Sequence, residues 1–423
     1  MRRLLSSVAL PAALLACGAA GPRPLSAPPR PGAADPAPLQ TRAADPAPPP
    51  PSAAATSQLP PGPLRGVRSV SAGHGHACAL RTDGRVVCWG ENGVGQAGAP
   101  IVGDDTRSRP HLVAGLPASI VEVAAGSFHT CARDEPGAVW CWGRPDLGLT
   151  RRTSTSVLVG ASEAGAPSRV ADSSGPLAGV RSLVLAPGSP TACAVRADDL
   201  SCWQTHAPRE QGRVDLRAQR WPGLEQAVVG RGLRCGLVAG AEGRRRIECA
   251  DGSDAPTPVR WPASARDPVD VTLGTLHLCA LDAAGAVLCW RAAVDARWWQ
   301  RAPQAIQGLG GGQAVSLSAG GDFACAAARD GSVACFLAEP AGLEEETVRT
   351  AWAAPDQVAR TIPGVARATT VSAGLGRDVF GHGFACAVLE DTTVACWGDD
   401  ESGELGGDPA IPARDLAVVV TAP

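Results

Sequence analysis

Short apolar runs, broken by turns rich in Gly and Asp, recur along this chain from Val67 onward. The copies read GHGHACALRTDGRVVCWG (73–90), GSFHTCARDEPGAVWCWG (126–143), TLHLCALDAAGAVLCW (275–290), GDFACAAARDGSVACF (321–336) and GHGFACAVLEDTTVACWG (381–398). Each is an apolar run, a turn and a second apolar run ending in Cys-aromatic, the pattern of a β-hairpin. A further strand-like run ending near Gly precedes most of them, as in VRSVSAG (67–73), VEVAAG (121–126), VSLSAG (315–320) and VSAG (371–374). The repeat recurs every ~50 residues, which suits a propeller blade, a four-stranded sheet repeated radially. The chain is therefore expected to be all-β, with its repeats arranged as a ring.

The cysteines set the number of blades. Fourteen of the fifteen form seven pairs: Cys78 with Cys88, Cys131 with Cys141, Cys193 with Cys202, Cys235 with Cys249, Cys279 with Cys289, Cys325 with Cys335 and Cys386 with Cys396. If Cys78 opposes Cys88, the loop is Thr82-Asp83-Gly84. A three-residue hairpin loop wants a left-handed third residue, hence Gly. The same arithmetic places Gly137, Gly285 and Gly331 third in other loops, and Thr392 in the last, where no Gly supplies that geometry. Opposed cysteines on adjacent strands lie near the separation a disulfide needs. Alternation puts Cys78, Leu80, Val86 and Cys88 on one face and Ala79, Val87 and Trp89 on the other. Both faces are apolar, so each disulfide is expected to face one neighbouring blade and each aromatic the other. The aromatic after the second cysteine is Trp89, Trp142, Trp203, Trp290, Phe336 or Trp397, and it is missing only at Ala250 in the fourth repeat. Ring closure is expected where the last strand (415–420) comes near the first (67–70).

Together with the tails GENGVGQAG (90–98) and GDDESGELG (398–406), these segments resemble the regulator of chromosome condensation repeat family over residues 64–423. The resemblance is clearest in repeats 1, 2 and 7 and weakest in 3 and 4. It implies a seven-bladed β-propeller. The paired cysteines are similar to the version of this repeat found in secreted bacterial proteins. The eukaryotic namesake is a nuclear guanine-nucleotide exchange factor, an activity that fold alone does not transfer.

The N-terminal region points to export. Met1-Arg2-Arg3 is a basic start and Leu4 to Ala16 a short apolar core, too short to span a bilayer. Leu14-Leu15-Ala16-Cys17-Gly18 resembles a bacterial lipobox, with Cys17 as the lipidated residue. Residues 1–17 are thus expected to be a lipoprotein signal, 18–63 a Pro/Ala-rich extended tether and 64–423 the propeller. Disulfides belong to oxidising compartments, which agrees with a cell-envelope location. Gly18, where an Asp would direct retention, favours the outer membrane or cell surface.

Composition narrows the chemistry. All 38 basic residues are Arg, Lys and Tyr are absent, and net charge is −3. No strong basic field is present, so a nucleic-acid partner is not expected. Absence of Lys excludes Schiff-base and P-loop lysine chemistry. The cysteine spacing does not fit zinc knuckles, and neither metal nor cofactor is expected. His76, His129 and His277 share a slot that elsewhere holds Thr191, Leu233, Phe323 and Phe384, which reads as packing. Acidic pairs at Asp104-Asp105 and in Asp399-Asp400-Glu401, and the Arg244-Arg245-Arg246 tip, read as solvated loops.

One constellation stands out. Arg-Trp recurs at Arg220-Trp221, Arg260-Trp261 and Arg297-Trp298-Trp299. Trp and Arg are enriched in binding hot spots. Adjacent blades would align them as a stripe of partner-binding residues, Trp221, Trp261, Arg297, Trp298 and Trp299; the alternative is that the indoles fill gaps between blades. Long inserts at 144–176 and 337–362 are further places for function. The expected function is a monomeric, lipid-anchored, protein-binding or scaffold module of the envelope. Alternatives are an envelope hydrolase or lyase with a site in the central funnel, and a structural component of an envelope assembly.

Overall fold

The computed structural model describes residues 59–101, 107–144, 165–172, 175–188, 191–204, 217–230, 232–252, 255–275, 277–291, 297–309, 313–336, 358–376, 383–407 and 417–422. Cys17, the expected signal segment, most of the expected tether, Asp104-Asp105 and most of both long inserts lie outside these residues. The described part contains seven four-stranded antiparallel sheets, each a meander in sequence order. The chain is all-β, a seven-bladed propeller with one hairpin disulfide per blade. The first strands are Val67–Ala72, Ile120–Ala125, Ser182–Leu185, Leu224–Gly230, Pro268–Leu273, Ala314–Ala319 and Ala368–Leu375 in blades 1 to 7. They neighbour one another all the way round, blade 7 beside blade 1, and so line the axis.

The seven expected cysteine pairs are all bonded, and each pair stands directly opposite in register. Cys78 bonds Cys88 in blade 1, Cys131 bonds Cys141 in blade 2 and Cys193 bonds Cys202 in blade 3. Cys235 bonds Cys249 in blade 4, across the longest hairpin, and Cys279 bonds Cys289 in blade 5. Cys325 bonds Cys335 in blade 6 and Cys386 bonds Cys396 in blade 7. Their Cα atoms lie 4.0–4.1 Å apart throughout.

The five ten-residue hairpins share one loop: the third loop residue donates its N–H to the last residue of the second strand, as Gly84 to Arg81 (3.0 Å) and Gly331 to Ala328 (2.9 Å). Those third residues have φ between +76° and +87° at Gly84, Gly137, Gly285 and Gly331. Thr392 adopts the same left-handed geometry at φ 65° without the freedom of Gly. It is held there by the seam it touches: its carbonyl accepts from Val67 (3.0 Å) and its hydroxyl from Gly66 (3.1 Å) in blade 1. Elsewhere the same loop carbonyl bonds the next blade, Gly285 to Ala314 and Gly331 to Ala368, each at 2.9 Å.

The core is not one mass but seven wedges, one at each junction. Cys78, Leu80, Val86 and Cys88 of blade 1 pack against Ile120, Val123, Ala132 and Trp142 of blade 2. Trp89 of blade 1 packs on the other side, against Cys386 and Cys396 of blade 7. The same order holds for Trp203 against Cys131 and Cys141, Trp290 against Cys235 and Cys249, Phe336 against Cys279 and Cys289, and Trp397 against Cys325 and Cys335. Every disulfide therefore faces the next blade and every aromatic the preceding one, as side-chain alternation requires. Blade 4, which has Ala250 in the aromatic slot, receives Trp221 instead, from the connection before its first strand; this indole shares a wedge with Cys193 and Cys202 of blade 3. The ring of Trp221 lies against Gly236 and its indole N–H donates to Glu248 at 2.9 Å.

Each first strand is an edge strand, and its unpaired N–H groups would cost free energy if left bare. Side chains of the preceding blade accept from them. Ser71, Thr272, Ser318 and Ser372 accept from Ala125, Ala319, Ala373 and Ala72 at 2.8–2.9 Å. Lower on the strands, Glu122 accepts from Leu183 at 2.9 Å and Ser316 from Val371 at 3.2 Å. Above these staples the backbones close in on glycines. A Cβ on Gly73 would lie 2.5 Å from the Gly126 carbonyl, and one on Gly320 2.6 Å from that of Gly374.

Closure differs from expectation in one respect. Val418–Val419 completes blade 7, and Thr421–Ala422 pairs with Gly62–Pro63, not with the first strand of blade 1. Leu59 packs against the blade 7–blade 1 wedge. The folded region therefore begins before the expected boundary at 64. Residues 59–63 belong to it because Leu59 buries apolar surface there and the Gly62–Pro63 backbone finds partners. The ring closes on itself within the compact unit Thr56–Pro423.

Candidate protein-interaction surface

At the axis, the loops from first to second strands converge on one mouth. Leu375 of blade 7 reaches across to Gly188 of blade 3, and Ser127 donates to the Pro187 carbonyl at 2.8 Å. Backbone bonds from His74 to Gly126 (3.0 Å) and Leu375 to Gly73 (2.9 Å) draw the loops together.

The perturbed titratable groups do not meet there. His76 is fully buried at the blade 1–blade 2 junction, with Nδ1 3.1 Å from the His74 carbonyl and Nε2 2.9 Å from the Thr130 hydroxyl. The Thr130 hydroxyl donates to the Gln96 carbonyl at 2.8 Å, so toward that oxygen Nε2–H is the donor. Burial pushes its pKa down to about 4. His277 is likewise buried and pushed down to about 4, with neither ring nitrogen hydrogen-bonded. It covers Gly274 at the blade 5–blade 6 junction, as Phe323 covers Gly320. The histidine slot is a packing slot. Glu404, in the connection between the third and fourth strands of blade 7, is buried and its carboxyl is pushed up to about 8 by that burial. These three groups sit in three different junctions, not in one constellation. Among the described residues no group of three or more His, Cys, Asp or Glu is placed to hold a metal. His74 and His76 do not form a chelating pair: the strand begins at His76, Gly75 turns the chain at φ 71°, and His74 lies against Phe128.

The Arg-Trp constellation is divided by the structure. Trp221 and Trp299 are 1% and 3% exposed and belong to the core, so they correct the expectation of a displayed stripe. Both do what the gap-filling alternative describes: Trp221 fills the wedge left by Ala250, and Trp299 packs in the wedge of Trp290. Trp261 and Trp298 remain half-buried on the rim, and Arg297 is exposed. They gather at the blade 4–blade 5 junction. Trp261 stacks on Trp290 with centroids 5.8 Å apart, and Trp298 meets Trp299 edge-on at the same distance. Trp261 donates to the Arg266 carbonyl (2.9 Å), Trp290 to that of Arg301 (3.1 Å) and Trp299 to the Thr257 hydroxyl (3.3 Å). Arg266, which no sequence signal singles out, enters the site through that bond. The Arg244-Arg245-Arg246 tip is not merely solvated. Its three guanidinium groups pair with Asp267, Glu225 and Glu248 at 2.8, 2.8 and 2.7 Å.

Two repeat signatures described as the regulator of chromosome condensation (RCC1) repeat match this chain, one at residues 67–96 and 120–148 and the other at 83–133. Residues 67–148 thus carry repeats of the regulator of chromosome condensation family. The matched RCC1 repeats are blades 1 and 2, where the hairpin and its Trp-Gly ending are most regular. Protein pim1 of Schizosaccharomyces pombe is 35% identical over 89 residues, 18% of this chain and 16% of that protein. The guanine nucleotide exchange factor SRM1 of Saccharomyces cerevisiae is 35% identical over 75 residues, 17% of this chain and 16% of that protein. The chain thus matches a small fraction of these relatives' length. The crystal structure of Prp20p from Saccharomyces cerevisiae superposes with a TM-score of 0.56 at 19% identity, covering 79% of this chain and 85% of that one. That likeness shows that the two chains share a fold.

Proposed function

We propose that this chain is an exported, lipid-anchored RCC1-type propeller that binds a partner protein at the cell envelope. The observation that carries the reading is the rim of the blade 4–blade 5 junction. It displays half-buried indoles and exposed guanidinium groups on a rigid ring, while His76, His277 and Glu404 lie in separate places. Seven disulfides favour an oxidising compartment. Cys17 in its Leu-Leu-Ala-Cys context supplies the anchor. Protein binding is also the use described for a similar ring: Prp20p is presented with its binding to Gsp1p and histones, and with Kap60 bound. The exchange activity of SRM1 is not carried over, because the matched stretch is 16% of that protein.

Two measurements test this. The full chain, fed a labelled fatty acid in its own cells, is expected to carry label in the membrane fraction, and Cys17→Ser to lose it. Residues 56–423 used as bait on the native envelope fraction should retain a defined protein. Label-free chain in the cytosol with free thiols would defeat the export reading, and an empty bait the binding reading.

A further inference from the structure

The three arginines that leave the blade 4–blade 5 tryptophan cluster are each tied to it by backbone. Arg260 N–H donates to the Trp299 carbonyl at 3.2 Å. Arg266 accepts from Trp261. Arg297, left-handed at φ 65°, opens the turn that presents Trp298. All three are exposed, and among the described residues none of their guanidinium groups has a hydrogen bond or ion pair. The neighbouring Arg244, Arg245 and Arg246 all have carboxylates. In a chain of net charge −3, three uncompensated cations around one aromatic cluster form a local positive field on a neutral-to-acidic background.

Guanidinium forks match carboxylates in bidentate geometry. The indoles add apolar contact, but one face of Trp261 is covered by Trp290, and Trp298 meets Trp299 edge-on. Single-stranded nucleic acid needs open aromatic faces on which to stack. An extended acidic peptide needs only indole edges for an aliphatic side chain, with carboxylates on either side.

We propose that this rim docks an acidic peptide segment of the partner protein, its carboxylates held by Arg260, Arg266 and Arg297 and an aliphatic side chain lodged beside Trp261 and Trp298. The inference rests on the reading that the propeller binds a protein, and names the chemistry of that partner.

The test is fluorescence anisotropy on residues 56–423 with a labelled aspartate-rich peptide carrying one central leucine. A lysine peptide of equal length and a single-stranded oligonucleotide of equal charge are the comparison probes. The acidic peptide is expected to bind, to weaken with salt, and to lose at least about tenfold in affinity when Arg260→Glu and Arg297→Glu are combined. Trp298→Ala should weaken it less. Arg68→Glu, exposed on blade 1, should leave it unchanged, and thermal melts check that each variant folds. Absence of binding by the wild type, an equal loss in Arg68→Glu, or equal or tighter binding of the oligonucleotide would overturn the assignment. If the envelope bait still captures its partner with both arginines replaced, protein binding stands and this docking site falls. If capture and peptide binding both fail in the wild type, the two readings fall together.

Discussion

The ring has two unlike arcs. At the junctions 5–6, 6–7, 7–1 and 1–2, a serine or threonine of one first strand accepts an N–H of the next. At these same junctions a glycine meets the following blade's carbonyl. Across blades 2 to 5 those hydroxyl positions are Ala124, Val184 and Val228, and longer side chains do the joining. Glu122 accepts from Leu183, Arg181 donates to the Leu224 carbonyl at 2.8 Å, and Gln226 to that of Val271 at 3.2 Å. Blade 4 lacks its aromatic, and Trp221 arrives from outside the repeat. A junction thus needs a filled wedge and satisfied edge N–H groups, and it is indifferent to which residues supply them. The same freedom leaves spare indoles and guanidinium groups on the irregular arc, where the candidate surface lies.

The sharpest way to break the comparison is at Trp221. Trp221→Ala should cost about 3–5 kcal/mol, because a buried indole is lost and Glu248 keeps only Arg246 as a donor. Urea unfolding of residues 56–423 measures it. A loss under about 1 kcal/mol would mean that blade 4 needs no substitute aromatic.

A profile of melting temperature against pH probes the regular arc next. His76 and His277 have folded values near 4, below the ordinary 6.5. The unfolded chain therefore takes up protons first as pH falls. Their contribution is full above pH 6.5 and lost between 6.5 and 4, by up to about 3 kcal/mol per ring. His277→Phe, the residue type of the equivalent slot in blades 6 and 7, should remove its share of that acid limb. Glu404 has the opposite sign. With a folded value near 8 against an ordinary 4.5, its contribution is present below 4.5 and lost as pH rises through 8. Glu404→Gln should flatten the alkaline limb; unchanged limbs in both variants would show that neither group is held as described.

The smallest effect is expected at the staples. Ser318→Ala leaves the Ala373 N–H without its acceptor and should cost about 1 kcal/mol. The same measurement on Ser372→Ala tests whether the blade 7–blade 1 closure behaves like any other junction.

The blade number, the disulfide pairing and the two-faced packing were legible because each rests on local rules: cysteine register, a Gly third in the loop, and alternation along a strand. Thr392 escaped them, since the contacts that hold a threonine left-handed come from Gly66 and Val67, at the far end of the ring's sequence. The closure at Gly62–Pro63 escaped for a similar reason, as a two-residue strand carries no periodicity. In the candidate surface, Arg-Trp repetition pointed to one arc but could not sort core from rim. Trp221 and Trp299 are buried by the blade faces they meet, and Arg266 is recruited only through a backbone carbonyl.

The disulfide-to-aromatic order gives the ring a direction. Every blade is a plug on one side and a socket on the other, and at all seven joints the disulfide of one blade meets an aromatic ring supplied from the next blade or, at blade 4, from the connection before it. Cutting out a blade, or copying one in, would leave no mismatched pair of faces, only a change in the angle each spoke must span. Exchanging units between related rings is therefore chemically permitted, and the limit on ring size is set by curvature.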